Sequence, residues 1–336
     1  MTRNSRYPSS TDVARLAGVS QSAVSRAFSE GKSVSEATSR KVFEAAEALG
    51  YSPSFIPRML LDHRSRLVAV VISGTGNPFY ARAVEEFTKA LQAIGNQVLL
   101  VHVDSGHSLD GVAPKLASYR VDAIVSALPV VSDETARAFA RVKVPTISFN
   151  TPINSQWVAS VCTDNVAGSA AVADLFLARG ARTFGFIAGS AGSYASAERL
   201  RGFRDRLAER GLERVEVVVG DYSYDGGVRA ARALRDAGAM PEAIFGANDL
   251  MAMGALDALR GAAGLRVPED ILVAGFDDVP EASWGAYDLT TVVHDCRAMV
   301  AEAMDILEQM MSSNGSTGGV TRIVPGRLLE RSTTRR

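Results

Sequence analysis

The 336-residue sequence predicts an α/β protein: a small all-helical head, then a longer body of two parallel sheets, each covered by helices. Three observations carry that prediction. Two short helical patterns broken by a glycine open the chain, and strand-like apolar runs then alternate with helical stretches in two successive sets. Charge divides at the same place. Residues 1–66 hold ten Lys/Arg against six Asp/Glu, a net +4, whereas the remainder holds 26 against 31, a net −5; the near-neutral total of −1 hides a basic head on an acidic body.

Composition narrows the function classes. With 47% hydrophobic residues and roughly 100–200 residues per domain, the chain has material for two or three domains with cores of their own. Cys162 and Cys296 stand far apart with no neighbouring Cys/His cluster, so neither a disulfide framework nor a structural zinc site is expected, and no cofactor or metal is called for. No apolar run approaches the roughly 18 residues of a membrane span, and the first ten residues lack the apolar stretch of a signal peptide, so a cytoplasmic protein is expected.

From Asp12, the residues Val13, Ala14, Leu16 and Ala17 have helical spacing, and Gly18-Val19-Ser20 interrupts them. Ser20 suits the N-cap of a second helix with Ala23, Val24 and Ala27 on one face. Two short helices about a tight glycine turn form a helix-turn-helix, in which Ala14 allows close approach and Gly18 supplies the turn. Gln21, Ser22, Ser25 and Arg26 lie off the apolar face of the second helix. Gln and Arg side chains grip adenine or guanine edges in a major groove, although the same residues also suit a solvated face. Ser35 signals a third helix through Val42, Ala45, Ala46 and Leu49, ended by Gly50.

Tyr51-Ser52-Pro53-Ser54 breaks that helix, and a linker runs to the first strand-like segment. In the body, the runs Leu67–Ile72, Val98–Val103, Ala123–Val125 and Thr146–Phe149 alternate with helical stretches over Ala81–Ile94 and Glu134–Arg141. A second set, Phe184–Ala188, Val215–Val219, Ala243–Phe245 and Leu272–Gly275, alternates with helices near Leu200–Arg210, Gly227–Ala237 and Leu250–Leu259. Such alternation needs crossover connections and hence doubly wound parallel sheets. Ligands of open parallel sheets bind beyond the carboxyl ends of the strands, so two facing lobes place one small-molecule site in the cleft between them. Asn77 and Phe79, Asn150, Asn248 with Asp249, and Asp277 all follow strands in this way.

The run Asp12-Val13-Ala14-Arg15-Leu16-Ala17-Gly18-Val19-Ser20, then Val24-Ser25-Arg26, Val34-Ser35 and Gly50-Tyr51-Ser52-Pro53, resembles the DNA-binding head of the LacI/GalR family of bacterial transcriptional regulators. The resemblance extends over the whole chain. It continues through Asn77-Pro78-Phe79-Tyr80-Ala81, Thr163-Asp164-Asn165, Arg199-Leu200-Arg201-Gly202-Phe203, Asn248-Asp249-Leu250-Met251-Ala252, Val267-Pro268-Glu269-Asp270, Gly275-Phe276-Asp277-Asp278, Leu289-Thr290-Thr291-Val292 and Arg331-Ser332. Each is a weak match alone; in this order they are specific.

The resemblance implies a helix-turn-helix domain over 1–52, a hinge over 53–66, and an effector-binding and dimerisation domain over 67–336 with the two-lobed fold of periplasmic binding proteins. One lobe would take about 67–163 and 295–325, with the last helix from Arg297 to Met311 and the strand-like Val320–Val324 crossing back to it; the other would take about 164–294. It implies DNA contacts at Ser20, Gln21, Ser22, Ser25 and Arg26, with Leu60 of the hinge wedged into the minor groove. The effector contacts would be Asn77, Phe79, Asn150, Arg199, Tyr222, Asn248, Asp277 and His294, a set of amide, carboxylate, guanidinium and aromatic groups suited to a sugar or sugar derivative. The implied partners are near-palindromic operator DNA, a small-molecule effector and a second copy of the chain. Three residues depart from the pattern: Ser10 stands where an apolar residue is usual, Pro57 where the hinge usually has a small helix former, and His294 where many members carry an amide. Pro57 biases Ile56 away from helical angles, which delays the hinge helix. His294 alters ligand choice or adds pH sensitivity. Trp284 is a further candidate aromatic for the cleft, or else a core residue.

Enzyme readings fare poorly. Gly74-Thr75-Gly76 hints at a dinucleotide turn, but Phe79 occupies the third glycine's place, and no phosphate-binding Gly-Lys-Ser/Thr loop occurs. Asp277 and Asp278 are adjacent and point apart, and His294-Asp295 has no nucleophile fixed by spacing, so no catalytic residue is assigned. The body alone reads equally as a solute-binding protein; the head argues for a regulator instead, a repressor released by ligand or one that needs a corepressor.

Overall fold

The computed structural model describes residues 7–29, 34–53, 64–73, 76–103, 116, 118–128, 137, 141, 143–153, 155–238, 240–261, 264–313 and 318–335. Pro57 and Leu60, and most of the helix expected over Glu134–Arg141, lie outside them. The chain divides into two compact units, Met1–Ser65 and Arg66–Arg336.

In the first unit, α1 (Ser10–Ala17), α2 (Gln21–Ala27) and α3 (Glu36–Leu49) pack around Val13, Ala14, Val24, Val42, Ala45 and Ala46. α1 starts at Ser10 rather than Asp12 because Ser9 and Asp12 cap reciprocally: the Ser9 hydroxyl accepts from the Asp12 N–H, and the Asp12 carboxylate accepts from the Ser9 N–H. Gly18 then takes the left-handed conformation, φ 65°, that turns the chain into α2. Leu49, part of the expected apolar series, is exposed; Phe28 closes the core instead, edge-on to Phe43 and Tyr51.

The second unit holds two six-stranded sheets. The first contains β1 (Leu67–Ile72), β2 (Gln97–His102), β3 (Ala123–Ala127), β4 (Thr146–Phe149), β5 (Val158–Thr163) and β11 (Thr321–Val324), in the spatial order β11-β5-β4-β3-β1-β2 and all parallel. α4 (Pro78–Ala93) and α9 (Cys296–Ser312) cover one face, where Phe87, Leu91, Phe149, Met299, Ala303 and Met310 are buried together. Each large side chain sealed there contributes about 1.5–3 kcal/mol.

The second sheet runs β12-β10-β9-β8-β6-β7, from β6 (Phe184–Ala188), β7 (Val215–Val219), β8 (Ala243–Gly246), β9 (Leu272–Asp277), β10 (Thr290–Val293) and β12 (Arg327–Leu329), with only β12 antiparallel to its neighbour. α5 (Asn165–Ala178) and α6 (Tyr194–Ala208) pack together on it, as do α7 (Tyr224–Asp236) and α8 (Asp249–Arg260). Glycines make both contacts possible: a Cβ on Gly202 would lie 2.4 Å from the Val166 carbonyl oxygen, and one on Gly227 2.1 Å from that of Met251.

The chain passes between the sheets three times: from β5 into α5, from β10 into α9, and from β11 into β12. The last passage was not expected. It carries the C-terminal segment back to the second sheet, where the Thr290 N–H donates to Thr333 Oγ1, Thr290 and Thr334 share a hydroxyl bond, and Arg331 pairs with Asp278. Strands β5 and β10 were likewise not read from the sequence, because both hold polar residues that are buried: Ser160 and Thr163 in one, Thr290 and Thr291 in the other.

Candidate functional site

The head presents one face of α2. Ala23 and Val24 are turned into the core, which leaves Ser20, Gln21, Ser22, Ser25 and Arg26 exposed together. Ser20 also has a structural duty, since its hydroxyl accepts the Ala23 N–H as N-cap and bonds to Ser22 Oγ at 2.9 Å. Arg26 extends from the last turn of α2. Leu60, the expected minor-groove wedge, lies outside the described residues.

In the body, a cavity of about 380 Å³ opens between the carboxyl ends of the two sheets. Six of the eight expected ligand contacts line it: Asn77, Phe79, Asn150, Arg199, Tyr222 and Asp277. Asn77 caps α4, its Oδ1 accepting from the Phe79 N–H at 2.9 Å, while its Nδ2 donates across the cleft to Asp277 Oδ2 at 3.2 Å. Pro78 in the first turn fixes that helix start. Asp277 ends β9 with φ 120°, Asn150 follows β4 with φ 70°, and Tyr222 follows β7 with φ 65°. Positive φ is rare for residues other than glycine, and rarest for bulky ones, so Tyr222 in particular is held in a strained backbone conformation at this cavity.

Arg199, on α6, is only 2% exposed. Its Nη1 reaches Asp277 Oδ1 at 3.4 Å and donates to the Ala247 carbonyl at 2.5 Å, its Nε donates to Asn165 Oδ1 at 2.8 Å, and its guanidinium carbon lies 3.6 Å above the Phe276 ring. The guanidinium is thereby held flat with its charge compensated. Tyr222 bonds through its hydroxyl to Ser193 Oγ at 2.6 Å, and burial raises the pKa of its phenol above the ordinary value.

The remaining two residues stand behind the wall. Asn248 is fully buried and does not line the cavity; its Oδ1 caps α8 through the Met251 N–H, and its Nδ2 donates to the Tyr222 carbonyl. It therefore fixes the backbone that carries Tyr222. His294 also lies outside the lining, stacked on Phe79 with ring centroids 3.9 Å apart, its Nδ1 3.4 Å from Asp277 Oδ1 and its Nε2 without a partner. Burial pushes its pKa below the ordinary histidine value. Asp249 does not cap α8; it is sealed beneath β9 and β10, where it accepts from Thr291 Oγ1 at 2.6 Å and from the Val279 N–H at 2.9 Å, and burial lifts its pKa well above the usual carboxylate range. Trp284 is 56% exposed and belongs neither to the cavity nor to the core.

Tyr80, Ser190, Ser193 and Tyr224 also line the cavity and were not singled out from the sequence. Ser190 and Ser193 follow β6, so the rule that placed Asn77 and Asp277 would have found them. Tyr80 is hidden in a helical turn, and burial pushes its phenol pKa far up. The wall therefore offers carboxamides, hydroxyls, a charge-compensated Arg–Asp pair and four aromatic side chains, groups that bind and orient a polyhydroxylated molecule. Among the described residues no three His, Cys, Asp or Glu side chains cluster to hold a metal, and no helix is long and apolar enough to cross a membrane.

A helix-turn-helix head with an exposed Gln/Ser/Arg face, attached to a two-lobed body with a polar cavity at its strand ends, defines a ligand-responsive DNA-binding regulator. The comparisons agree. Residues 11–54 match the model of the bacterial regulatory proteins of the lacI family, and 173–334 that of a periplasmic binding protein-like domain. The chain is 34% identical over 328 residues to the HTH-type transcriptional regulator CelR of Thermobifida fusca, covering 95% of this chain and 96% of that one. The solved complex of the transcriptional regulator CelR with cellobiose superposes with a TM-score of 0.74 at 32% identity, covering 97% and 99% of the two chains. The lac repressor dimer bound to operator and the anti-inducer ONPF gives a TM-score of 0.88 at 27% identity, covering 98% and 99%. The protein belongs to the lacI family of bacterial transcription regulators.

Proposed function

We propose that the protein is a cytoplasmic homodimeric repressor that binds a near-palindromic operator and is released from it by a sugar-like effector held in the cleft. Residues 1–52 act as the DNA-binding domain, 53–66 as the hinge with Leu60 as its wedge, and 67–336 as the effector-binding domain. Gln21, Ser22 and Arg26 carry base preference, at about 1–3 kcal/mol for each good bidentate contact. Phosphate contacts from the basic head supply affinity that falls steeply with salt. Asn77, Phe79, Asn150, Arg199, Tyr222 and Asp277 bind the effector, with Asn248 and His294 holding the wall behind them.

The observation that carries this reading is the hydrogen bond from Asn77 to Asp277, which joins the two lobes across the cavity with Arg199 braced beneath it. A sugar hydroxyl that inserts between these groups changes how the lobes meet. Coupling of about 1–3 kcal/mol is enough to switch occupancy when operator affinity is near threshold. The similarity to a regulator solved with cellobiose supports a saccharide ligand.

The test begins with selection of bound duplexes from a random pool by the full-length protein at two salt concentrations. An enriched palindrome of two half-sites is expected, and Arg26→Ala should relax preference at one symmetric pair of positions. Mono- and disaccharides are then titrated against the selected duplex. Release by one of them supports the assignment, tightening reverses the polarity to corepression, and a complete lack of enrichment refutes sequence-specific repression by the unaided protein.

A further inference from the structure

Ser10 and Gln21 are the first residues of α1 and α2, and their side chains meet: Gln21 Nε2 donates to Ser10 Oγ at 3.0 Å. Neither helix needs this bond to begin. α1 is capped by the reciprocal pair Ser9 and Asp12, α2 by Ser20, and the helices are already held together by Val13, Ala14 and Val24. What the bond restrains is the carboxamide of Gln21, at the exposed N-terminal end of the helix that carries Ser22, Ser25 and Arg26. An unrestrained glutamine loses rotamer freedom when it is ordered, and an amide tethered beforehand loses less. With one Nε2 proton on Ser10, the amide keeps a second N–H and the Oε1 acceptor, the two kinds of group that match N7 and the N6 amino group of adenine.

We propose that Ser10 is a positioning residue for base readout: it holds the Gln21 amide in the orientation that reads an adenine in each operator half-site. The proposal rests on α2 being the helix that enters the major groove. Its test uses the full-length protein with the selected duplex and with duplexes singly substituted at every position, for wild type, Gln21→Ala, Ser10→Ala, Ser10→Thr and the Ser10→Ala/Gln21→Ala double variant.

Gln21→Ala should flatten preference at one symmetric pair of positions. Ser10→Ala should weaken discrimination at that same pair by about three- to tenfold, the range of a net hydrogen-bond contribution, without altering the dependence on salt. Ser10→Thr, which keeps the hydroxyl, should restore it, and Ser10→Ala should add nothing once Gln21 is gone. An equal loss of affinity on every duplex, or a Ser10→Ala effect that persists in the Gln21→Ala background, overturns the proposal. If Gln21→Ala leaves every preference intact, the assignment of Gln21 as a reader fails as well; a change in preference on Ser10→Ala alone would then mark Ser10 as a base contact in its own right.

Discussion

Replacing Asp277 with alanine should unfold the body more readily, and the size of the effect follows from what Arg199 loses. The guanidinium is 2% exposed and its carboxylate partner lies 3.4 Å away, a separation at which the attraction is about 5 kcal/mol for an effective dielectric of about 20. Asn165 Oδ1, the Ala247 carbonyl and the Phe276 face remain, so the whole of that attraction is not lost. Removing one partner of a buried pair typically costs about 3–5 kcal/mol, because the other charge stays buried without compensation. Asn77 Nδ2 also loses its acceptor across the cleft. The assay is urea unfolding followed by tryptophan fluorescence, which reports on the body alone because Trp157 and Trp284 both belong to it. At a slope of about 3 kcal/mol per molar urea, the midpoint should fall by about 1 M or more. Asp277→Leu combined with Arg199→Met should recover most of the loss, since no charge is then stranded. An Asp277→Ala midpoint equal to wild type, or a double variant less stable than Asp277→Ala, would refute the account. Loss of effector response in Asp277→Ala therefore includes a folding defect, and Asp277→Asn is the cleaner variant for ligand studies.

Three further outcomes are expected. Burial holds the His294 pKa below its ordinary 6.5, so the unfolded chain takes up a proton that the folded chain resists; this stability is full above about pH 6.5 and drains as pH falls below it. His294→Gln should flatten the decline in thermal midpoint between about pH 7.5 and pH 5, and identical profiles would remove His294 as the cause. Gly189→Ala places a Cβ 2.1 Å from Tyr222 Cζ and must displace that ring, weakening ligand binding by about 1–3 kcal/mol while the body still folds; calorimetry with the identified ligand checks this, and unchanged affinity would exclude Tyr222 from the binding wall. Gly202→Ala meets backbone rather than a movable ring, 2.4 Å from the Val166 oxygen, so it should destabilise the body by about 1–3 kcal/mol or more and separate α5 from α6. A body thermal midpoint equal to wild type would show that the helices yield without strain.

The head was legible almost residue by residue because its signals are local: Ser20 and Ser35 cap the helices they precede, and Gly18 and Gly50 end the helices they follow. Runs of largely aliphatic residues buried in the sheets, such as Leu67–Ile72 and Leu272–Gly275, were equally plain. Legibility failed where polarity is buried. Ser160, Thr290 and Thr291 resemble loop residues in sequence, yet their hydroxyls bond to Ile153, to Arg331 and Thr334, and to Asp249. The cavity was half legible for a related reason: position after a strand brings a residue near the cleft without deciding which way it turns. Asn77 and Asp277 turn inward, whereas Asn248 is drawn back by the Met251 N–H and the Tyr222 carbonyl. Whether a polar group faces ligand or serves as cap depends on partners far along the chain.

The third passage between the lobes also bears on how the protein is born. The head is contiguous and can close as soon as its three helices have left the ribosome. Neither lobe has that freedom: the first waits for β11, which is made after β6 to β10 of the other lobe, and the second waits longer still, for β12 and the bonds of Thr333 and Thr334 to Thr290. A nascent chain thus carries a finished DNA-reading domain while its ligand-sensing half is still open. A chain cut just before Arg327 should keep an intact head and an incomplete sensor.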